Sequence, residues 1–153
     1  MPLRTFARSA RAVAVIGVVA LGACARQVAS PARPSSEMAG MLPVLSVERF
    51  LQAANARDFQ AMRELFGTHA GPIAGERREM EVRMAAIAEV LRHEDYKITG
   101  DQREPGREFP TTRVTVTITK GGRQISDVPF LVVQTDKGGW LVEQVDLEKI
   151  TRL

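Results

Sequence analysis

The chain has 153 residues, with 21 basic and 18 acidic side chains and a formal net charge of +3. Three of the basic residues lie at positions 4, 8 and 11, so the remainder of the chain is close to neutral. No basic stripe with interleaved aromatic residues is present, which argues against nucleic-acid binding. Cys24 is the only cysteine, so the fold cannot rest on an internal disulfide framework.

The first 23 residues have the pattern of an export signal, because an arginine-rich start precedes uncharged, mostly small or aliphatic residues at 12–23. As a helix this stretch rises about 18 Å, less than the roughly 30 Å of a bilayer's hydrocarbon core, so a permanent span is not expected. The run Leu21-Gly22-Ala23-Cys24 resembles the lipobox of bacterial lipoproteins. The resemblance implies cleavage between Ala23 and Cys24 and a diacylglycerol on Cys24. Without lipid, Cys24 would be a free thiol, one half of an intermolecular disulfide or an inert small hydrophobe.

Residues 24–43 predict a flexible tether, and residues 44–153 predict one small folded domain. The tether contains three prolines among alanine, serine and arginine, a composition that does not build a packed core. Fully extended, it would hold the domain up to about 60 Å from the lipid surface. Ala25 is not the aspartate that retains many such lipoproteins at the inner membrane. The resemblance therefore implies an exported protein, lipid-anchored to the outer membrane where the bacterium has one.

Three amphipathic helices are predicted at the start of the domain. The first has Ser46 as its predicted N-cap and carries an apolar stripe at helical spacing: Val47, Phe50, Leu51 and Ala54. The second begins after the cap Asp58 and ends at Gly67, a residue typical of helix C-termini. The third covers roughly Glu76 to Arg92 and carries its own stripe: Met80, Met84, Ile87, Ala88 and Leu91.

From Tyr96 onward the pattern alternates with a period of two, which predicts four antiparallel strands. Between Thr111 and Lys120 the predicted inward residues are Val114, Val116 and Ile118. The outward polar residues, a surface suited to a homodimer, are Arg113, Thr115, Thr117 and Thr119. Gly121-Gly122 and Asp136 to Gly139 are predicted hairpin turns rather than phosphate loops, because neither opens a helix. Pro129 predicts a bulge or an edge position in the third strand.

The helix pair from Val47 to Phe59 resembles the opening of the nuclear transport factor 2-like superfamily, which includes the ketosteroid isomerases. The ending from Val128 to Val145, with its Gly-Gly-Trp turn, is similar to the last hairpin of that family. The chain is especially similar to small bacterial lipoproteins of unknown function, the lumazine-binding-like members, which share the lipobox, tether and element order. The resemblance implies a cone-shaped α+β fold, with three N-terminal helices packed on a curved four-stranded antiparallel sheet.

The catalytic groups of the ketosteroid isomerases have no counterparts at the matching positions. Their tyrosine falls at Phe50, which has no hydroxyl, and their base falls near Gly71-Pro72-Ile73, which holds no carboxylate. The stretch Val114 to Ile118 offers only aliphatic side chains inward. The sequence therefore predicts no catalytic residue. An enzyme of this superfamily with an unrecognised active site remains the alternative.

The remaining titratable residues predict no metal or cofactor site. His69 and His93 are the only histidines, and neither belongs to a motif with metal-ligand spacing. Three acids flank Tyr96 and are interpreted as solvated groups at strand ends, with acid–base work as the alternative: Glu94, Asp95 and Asp101.

Five apolar side chains are candidates for a pocket between helices and sheet: Phe50, Phe66, Met80, Met84 and Trp140. Flexible methionine side chains suit variable apolar ligands, although the same residues can equally fill an ordinary core. The sequence thus predicts a membrane-anchored, non-catalytic binding or scaffolding domain. Its expected partner is a small apolar ligand or another envelope protein.

Overall fold

The structure, a computed structural model, describes residues 42–152, so Ala23, Cys24 and nearly all of the predicted tether lie outside the described residues. Within them, helices precede a four-stranded antiparallel sheet, which is the predicted α+β class. None of the described helices is long and apolar enough to cross a membrane. In chain order the elements are α1 (Leu42–Ala56), α2 (Phe59–Leu65), β1 (Gly67–Thr68), β2 (Gly71–Pro72), α3 (Arg77–Leu91), β3 (Asp95–Arg103), β4 (Thr111–Lys120), β5 (Arg123–Gln134), β6 (Trp140–Val145) and α4 (Leu147–Thr151).

Helix α1 begins four residues before the predicted cap, so the prediction of Ser46 as N-cap is wrong. Pro43 lies in the first turn, where a missing N–H removes no intrahelical hydrogen bond. Ser46 is buried inside the helix, and its hydroxyl donates to the carbonyl oxygen of Trp140 at 3.0 Å. The serine therefore ties α1 to the start of β6 instead of capping a helix.

The turn between α1 and α2 closes with the paired hydrogen bonds of a Schellman motif. The Asp58 N–H donates to the Ala53 oxygen at 2.9 Å, and the Arg57 N–H donates to the Ala54 oxygen at 3.1 Å. Arg57 occupies the left-handed position with a φ of 56°. The Asp58 carboxylate accepts from the Ala61 N–H at 2.9 Å, which confirms the predicted cap of α2.

Helix α2 ends where predicted, with Gly67 directly after the C-cap Phe66, but Gly67 is not among the residues with positive φ. Phe66 is already extended and forms a parallel bridge with Val142 of β6, and Gly67 opens the short strand β1. Strand β1 pairs antiparallel with β2, where the sequence predicts a loop. A Cβ atom on Gly67 would lie 2.2 Å from the Gly71 oxygen, so this close approach of two backbones requires glycine.

The four main strands pair in sequence order, β3-β4-β5-β6, with every neighbour antiparallel. Gly121 and Gly122 both have positive φ, 58° and 70°, and join β4 to β5, which confirms that hairpin turn. The predicted inward residues Val114, Val116 and Ile118 are fully buried. They pack with the apolar stripes of α1, α2 and α3 in one hydrophobic core.

Pro129 lies on β5, an inner strand, yet it faces no β6 residue, because β6 ends at Val145 opposite Phe130. Its carbonyl accepts from the Asp146 N–H at 3.3 Å. The N–H and C=O groups of one strand residue point toward the same neighbouring strand. Because the Pro129 carbonyl points away from β4, the missing N–H of the proline removes no hydrogen bond to β4. A bulge lies close by, where β5 has one more residue than β4 and Asp127 has a φ of 59°.

Helix α4, which the sequence analysis does not predict, follows β6 directly. The Asp146 carboxylate caps it by accepting from the Lys149 N–H at 3.0 Å, and Ile150 is buried in the core. The end of α3 also has a partner distant in sequence, because Lys120 Nζ on β4 donates to the Val90 oxygen at 2.7 Å. A cation at this end of a helix stabilises the last carbonyl groups.

Candidate functional site

A groove of about 390 Å³ lies between α3 on one side and β6 with the start of α4 on the other. We call it the α3 groove. Its polar lining residues are Arg83, Glu143 and Gln144. Its apolar lining residues are Phe66, Ala86, Ile87, Val90, Val145 and Leu147. Two-thirds of the lining side chains are therefore apolar, as expected of a site for a small organic molecule.

The helical wall of the α3 groove is a second apolar stripe, next to the stripe that enters the core. Ala86 and Val90 lie one turn apart on α3, and Ala86 is exposed. Val82, one further turn toward the N-terminus, has 65% of its surface exposed, the one large exposed hydrophobic residue among residues 43–152. Helix α3 thus presents apolar surface toward solvent as well as toward the core.

Phe66 connects the α3 groove to the core. Its backbone is fixed by the bridge to Val142, and its ring stacks on Phe50 with ring centroids 5.9 Å apart and planes at 23°. The same ring lines the groove. A ligand in the groove would therefore rest on a side chain held by both the sheet and the core.

Arg83 lies over Phe66, with its Cζ atom 5.5 Å from the ring centroid, which is a cation–π distance. None of the ion pairs among the described residues includes Arg83. Glu143 lines the same groove but is paired with Arg107. The groove therefore contains a guanidinium without an acidic partner in the described part of the chain.

The five predicted pocket residues occupy different places. Phe66 lines the α3 groove, whereas Phe50, Met80 and Met84 are buried in the core. Trp140 is half-buried against the core, and its indole N–H is buried without a hydrogen-bond partner among the described residues. A pocket shared by all five residues stays a prediction.

Most of the groove-lining residues were not predicted from the sequence. Helix α3 did carry a local signal, because Val82, Ala86 and Val90 repeat every four residues on a helix with a separate core stripe. Val145 and Leu147 carried no such signal, since their closeness to α3 depends on how β6 and α4 pack.

In two other concave regions, charged or polar side chains make up half or more of the lining. One, of about 590 Å³, includes Arg113, Asp146 and Glu148. The other, of about 290 Å³ between α2 and α3, brings together three arginines: Arg57, Arg63 and Arg77. The first also has apolar lining residues, among them Pro129 and Leu131, whereas Phe59 is the one described apolar residue that lines the second.

The outward face of β4 was predicted to support a homodimer. Thr115, Thr117 and Thr119 are half-buried, and the Arg113 guanidinium forms two hydrogen bonds with Glu104, at 2.7 and 2.9 Å. The hydrogen bond from Arg113 lowers the pKa of Glu104 from its ordinary value, and the same bond raises the pKa of Arg113. This arginine is thus already engaged within its own chain.

Both histidines and Glu94 contact other groups of the domain. The His69 ring stacks on Phe109 at 3.5 Å between centroids, and the His93 ring meets Tyr96 edge-on at 5.3 Å. Glu94 accepts a hydrogen bond from the Gly122 N–H at 3.2 Å. Among the residues that the structure describes, no group of three or more histidines, cysteines or acids is arranged to hold a metal ion.

Comparison of the chain with models of protein families finds no match. Comparison with curated proteins finds none either. The function is therefore inferred from the leader sequence and from the geometry of the α3 groove.

Proposed function

We propose that the chain is a lipid-anchored protein of a bacterial cell envelope, whose domain binds a small apolar ligand in the α3 groove. The groove carries this proposal: six apolar side chains line about 390 Å³ of open space. Ligand sites typically have volumes of about 300–1,000 Å³ and predominantly apolar walls. Ligand binding would remove from water an apolar surface that the fold leaves open.

The anchor in this proposal is Cys24, which follows the leader and ends the lipobox-like run from Leu21. We expect mass spectrometry of the membrane fraction to find Cys24 as the N-terminal residue, carrying a diacylglycerol. Cys24→Ala should abolish the modification. An unmodified mature N-terminus at another residue would contradict the anchor while leaving the ligand proposal untouched.

The domain in this proposal has the nuclear transport factor 2-like fold, a cone of three N-terminal helices on a curved four-stranded sheet. The order of elements supports it, because α1, α2 and α3 precede four antiparallel strands that pair in sequence. A crystal structure with a flat sheet, or with α1 packed away from it, would contradict this assignment.

The ligand proposal is tested by filling the groove. The full chain is reconstituted in phosphatidylcholine nanodiscs, and binding of decanol is measured by isothermal titration calorimetry. Ala86→Trp places a bulky ring in the groove and should abolish binding, whereas Arg78→Trp, on an exposed position of α3 outside the groove lining, should not. Equal binding by both variants would show that the heat comes from the nanodisc or from another site.

A protein-binding or catalytic role is the competing proposal. An enzyme needs titratable groups with displaced pKa values in its pocket. Glu143 is the one carboxylate among the described groove-lining residues, and it is already paired with Arg107, which favours binding over catalysis. A homodimer through the outward face of β4 would appear in sedimentation equilibrium, and a monomer at high concentration would contradict it.

A further inference from the structure

We propose that the α3 groove selects a single-chain amphiphile with an anionic head, a carboxylate or a phosphate, and that Arg83 holds this head. The inference rests on the proposed function, because it specifies the ligand of the same groove. Its observational basis is the position of one cation beside an apolar channel.

The free edge of the guanidinium is the recognition element. Arg83 stacks over the Phe66 ring at 5.5 Å, and such stacking occupies a face of the planar group. The N–H donors lie in the plane of the guanidinium and remain available at its edge, in the fork that matches a carboxylate or phosphate. Phe66 thereby orients the donor group before any ligand arrives.

The charge balance of the groove favours an anion over a neutral or cationic head. The acid in its lining, Glu143, is ion-paired with Arg107, whereas Arg83 is in none of the ion pairs of the described residues. Its side chain is exposed, so an incoming anion meets it without opening the core. A cationic head would be repelled by the same group.

The direction of the tail follows from α3. Arg83 and Val90 are two helical turns apart on the same side of the helix, a rise of about 10 Å. Ala86 lies between them on α3, and the facing wall includes Val145 and Leu147 besides the polar Glu143 and Gln144, so both walls offer apolar groups to a tail. The volume of about 390 Å³ is near the lower end for ligand sites, which suits one alkyl chain better than the two chains of a phospholipid.

The experiment compares probes that share a tail and differ in the head: decanoate, decyl phosphate and decanol. The full chain in phosphatidylcholine nanodiscs is titrated by calorimetry, with the Ala86→Trp protein in identical nanodiscs as the blank. A charge-assisted hydrogen bond at an exposed site should make the two anions bind about tenfold more tightly than decanol. A preference for one anion over the other would identify the natural head as carboxylate or phosphate.

Arg83→Met keeps the length and apolar stem of the side chain and removes its charge. We expect it to weaken decanoate binding about tenfold and to leave decanol binding unchanged. The matched control is Arg77→Met, which removes an arginine from the same helix but from a different cleft, and it should leave both affinities unchanged.

Each alternative outcome has a distinct meaning. Equal affinities of the wild-type protein for decanoate and decanol would overturn the role of Arg83 and leave the apolar ligand site standing. Absence of binding by all three probes would overturn the ligand site as well. A dimer that sedimentation detects in the wild-type protein and that Ala86→Trp disrupts would instead identify the groove as an interface between copies of the chain.

Discussion

Arg57 holds a backbone conformation that is unfavourable for a residue with a Cβ atom. Its φ of 56° completes the turn between α1 and α2, a position that glycine usually occupies. Its side chain contributes little to the stability of the fold, because the Arg57–Glu89 ion pair is 3.6 Å long and both side chains are more than half exposed.

We therefore expect Arg57→Gly to raise the free energy of unfolding by about 0.5–1 kcal/mol, measured by urea denaturation. Arg57→Ala is the control, since it also removes the charged group but keeps the Cβ atom. Alanine should be the less stable of the two variants by about 1 kcal/mol. Equal stabilities would contradict strain at this position.

The Glu104–Arg113 pair makes the stability of the protein fall as the pH is lowered. The hydrogen bond from Arg113 lowers the pKa of Glu104 in the folded state, so the unfolded chain takes up this proton first as the pH falls. The stabilisation is complete above the ordinary pKa of 4.5 and is lost as the pH falls through the folded value.

Glu104→Gln should therefore be less stable than the wild-type protein at neutral pH, with the difference shrinking on acidification. Urea midpoints measured from pH 7 to pH 3 test this. Arg113→Leu should remove the same part of the pH dependence. A constant difference between Glu104→Gln and wild type across this range would contradict the linkage.

Local signals decided which single residues could be predicted. Asp58 and Gly121-Gly122 work through neighbours within a few positions, so the cap and the hairpin turn were predicted correctly. Ser46 was misassigned, and the close approach of Gly67 to Gly71 was not predicted, because Trp140 and Gly71 come from other elements.

At the scale of elements, α4 has a larger role than its five residues suggest. It places Ile150 in the core with 1% of its surface exposed and closes one side of the α3 groove through Leu147. Most of the free energy that stabilises such a short helix must come from its packing against the core, because isolated helices of this length are not stable.

Ile150→Ala should lower the free energy of unfolding by about 2–4 kcal/mol, measured by urea denaturation. The neighbouring Lys149→Ala, at an exposed position, is the control and should cost less than about 1 kcal/mol, since it loses one exposed hydrogen bond to the Asp127 carbonyl. Similar losses in the two variants would mean that α4 is not anchored by its apolar side.

The strands and the longer helices were predictable because their periods of two and 3.6 extend over many residues. Strand β4 was predicted at its observed bounds, Thr111–Lys120, and α3 within one residue at each end. Helix α4 was missed although Asp146, Leu147 and Ile150 form a cap and a one-turn stripe, because one turn of pattern does not separate a helix from a strand end.

At the scale of the whole molecule, the α3 groove illustrates the limit of prediction from sequence. Arg83 and Val145 line its two walls, and they are far apart in the chain and show no shared pattern. The sequence marks α3 as apolar on two sides, but only the packing of β6 and α4 determines which exposed residues line a channel. The fold class could therefore be predicted from the sequence, whereas the α3 groove could not.

Pro129 has a further consequence for how molecules behave at high concentration. The β5 residues before Phe130 have no β6 neighbour, and such an unpaired edge can pair with a strand from another molecule. Here the Pro129 carbonyl is taken by the Asp146 N–H, the Asp127 carbonyl by Lys149 Nζ at 2.9 Å, and the proline supplies no donor.

Pro129→Thr should restore an outward N–H and produce concentration-dependent growth of thioflavin-positive fibrils, whereas Pro105→Thr, in the β3–β4 turn, should not. Equal fibril growth in both variants would mean that fibrils do not grow from the unpaired edge of β5. In this chain the missing donor of Pro129, the Asp146 N–H and the Lys149 side chain together protect this edge.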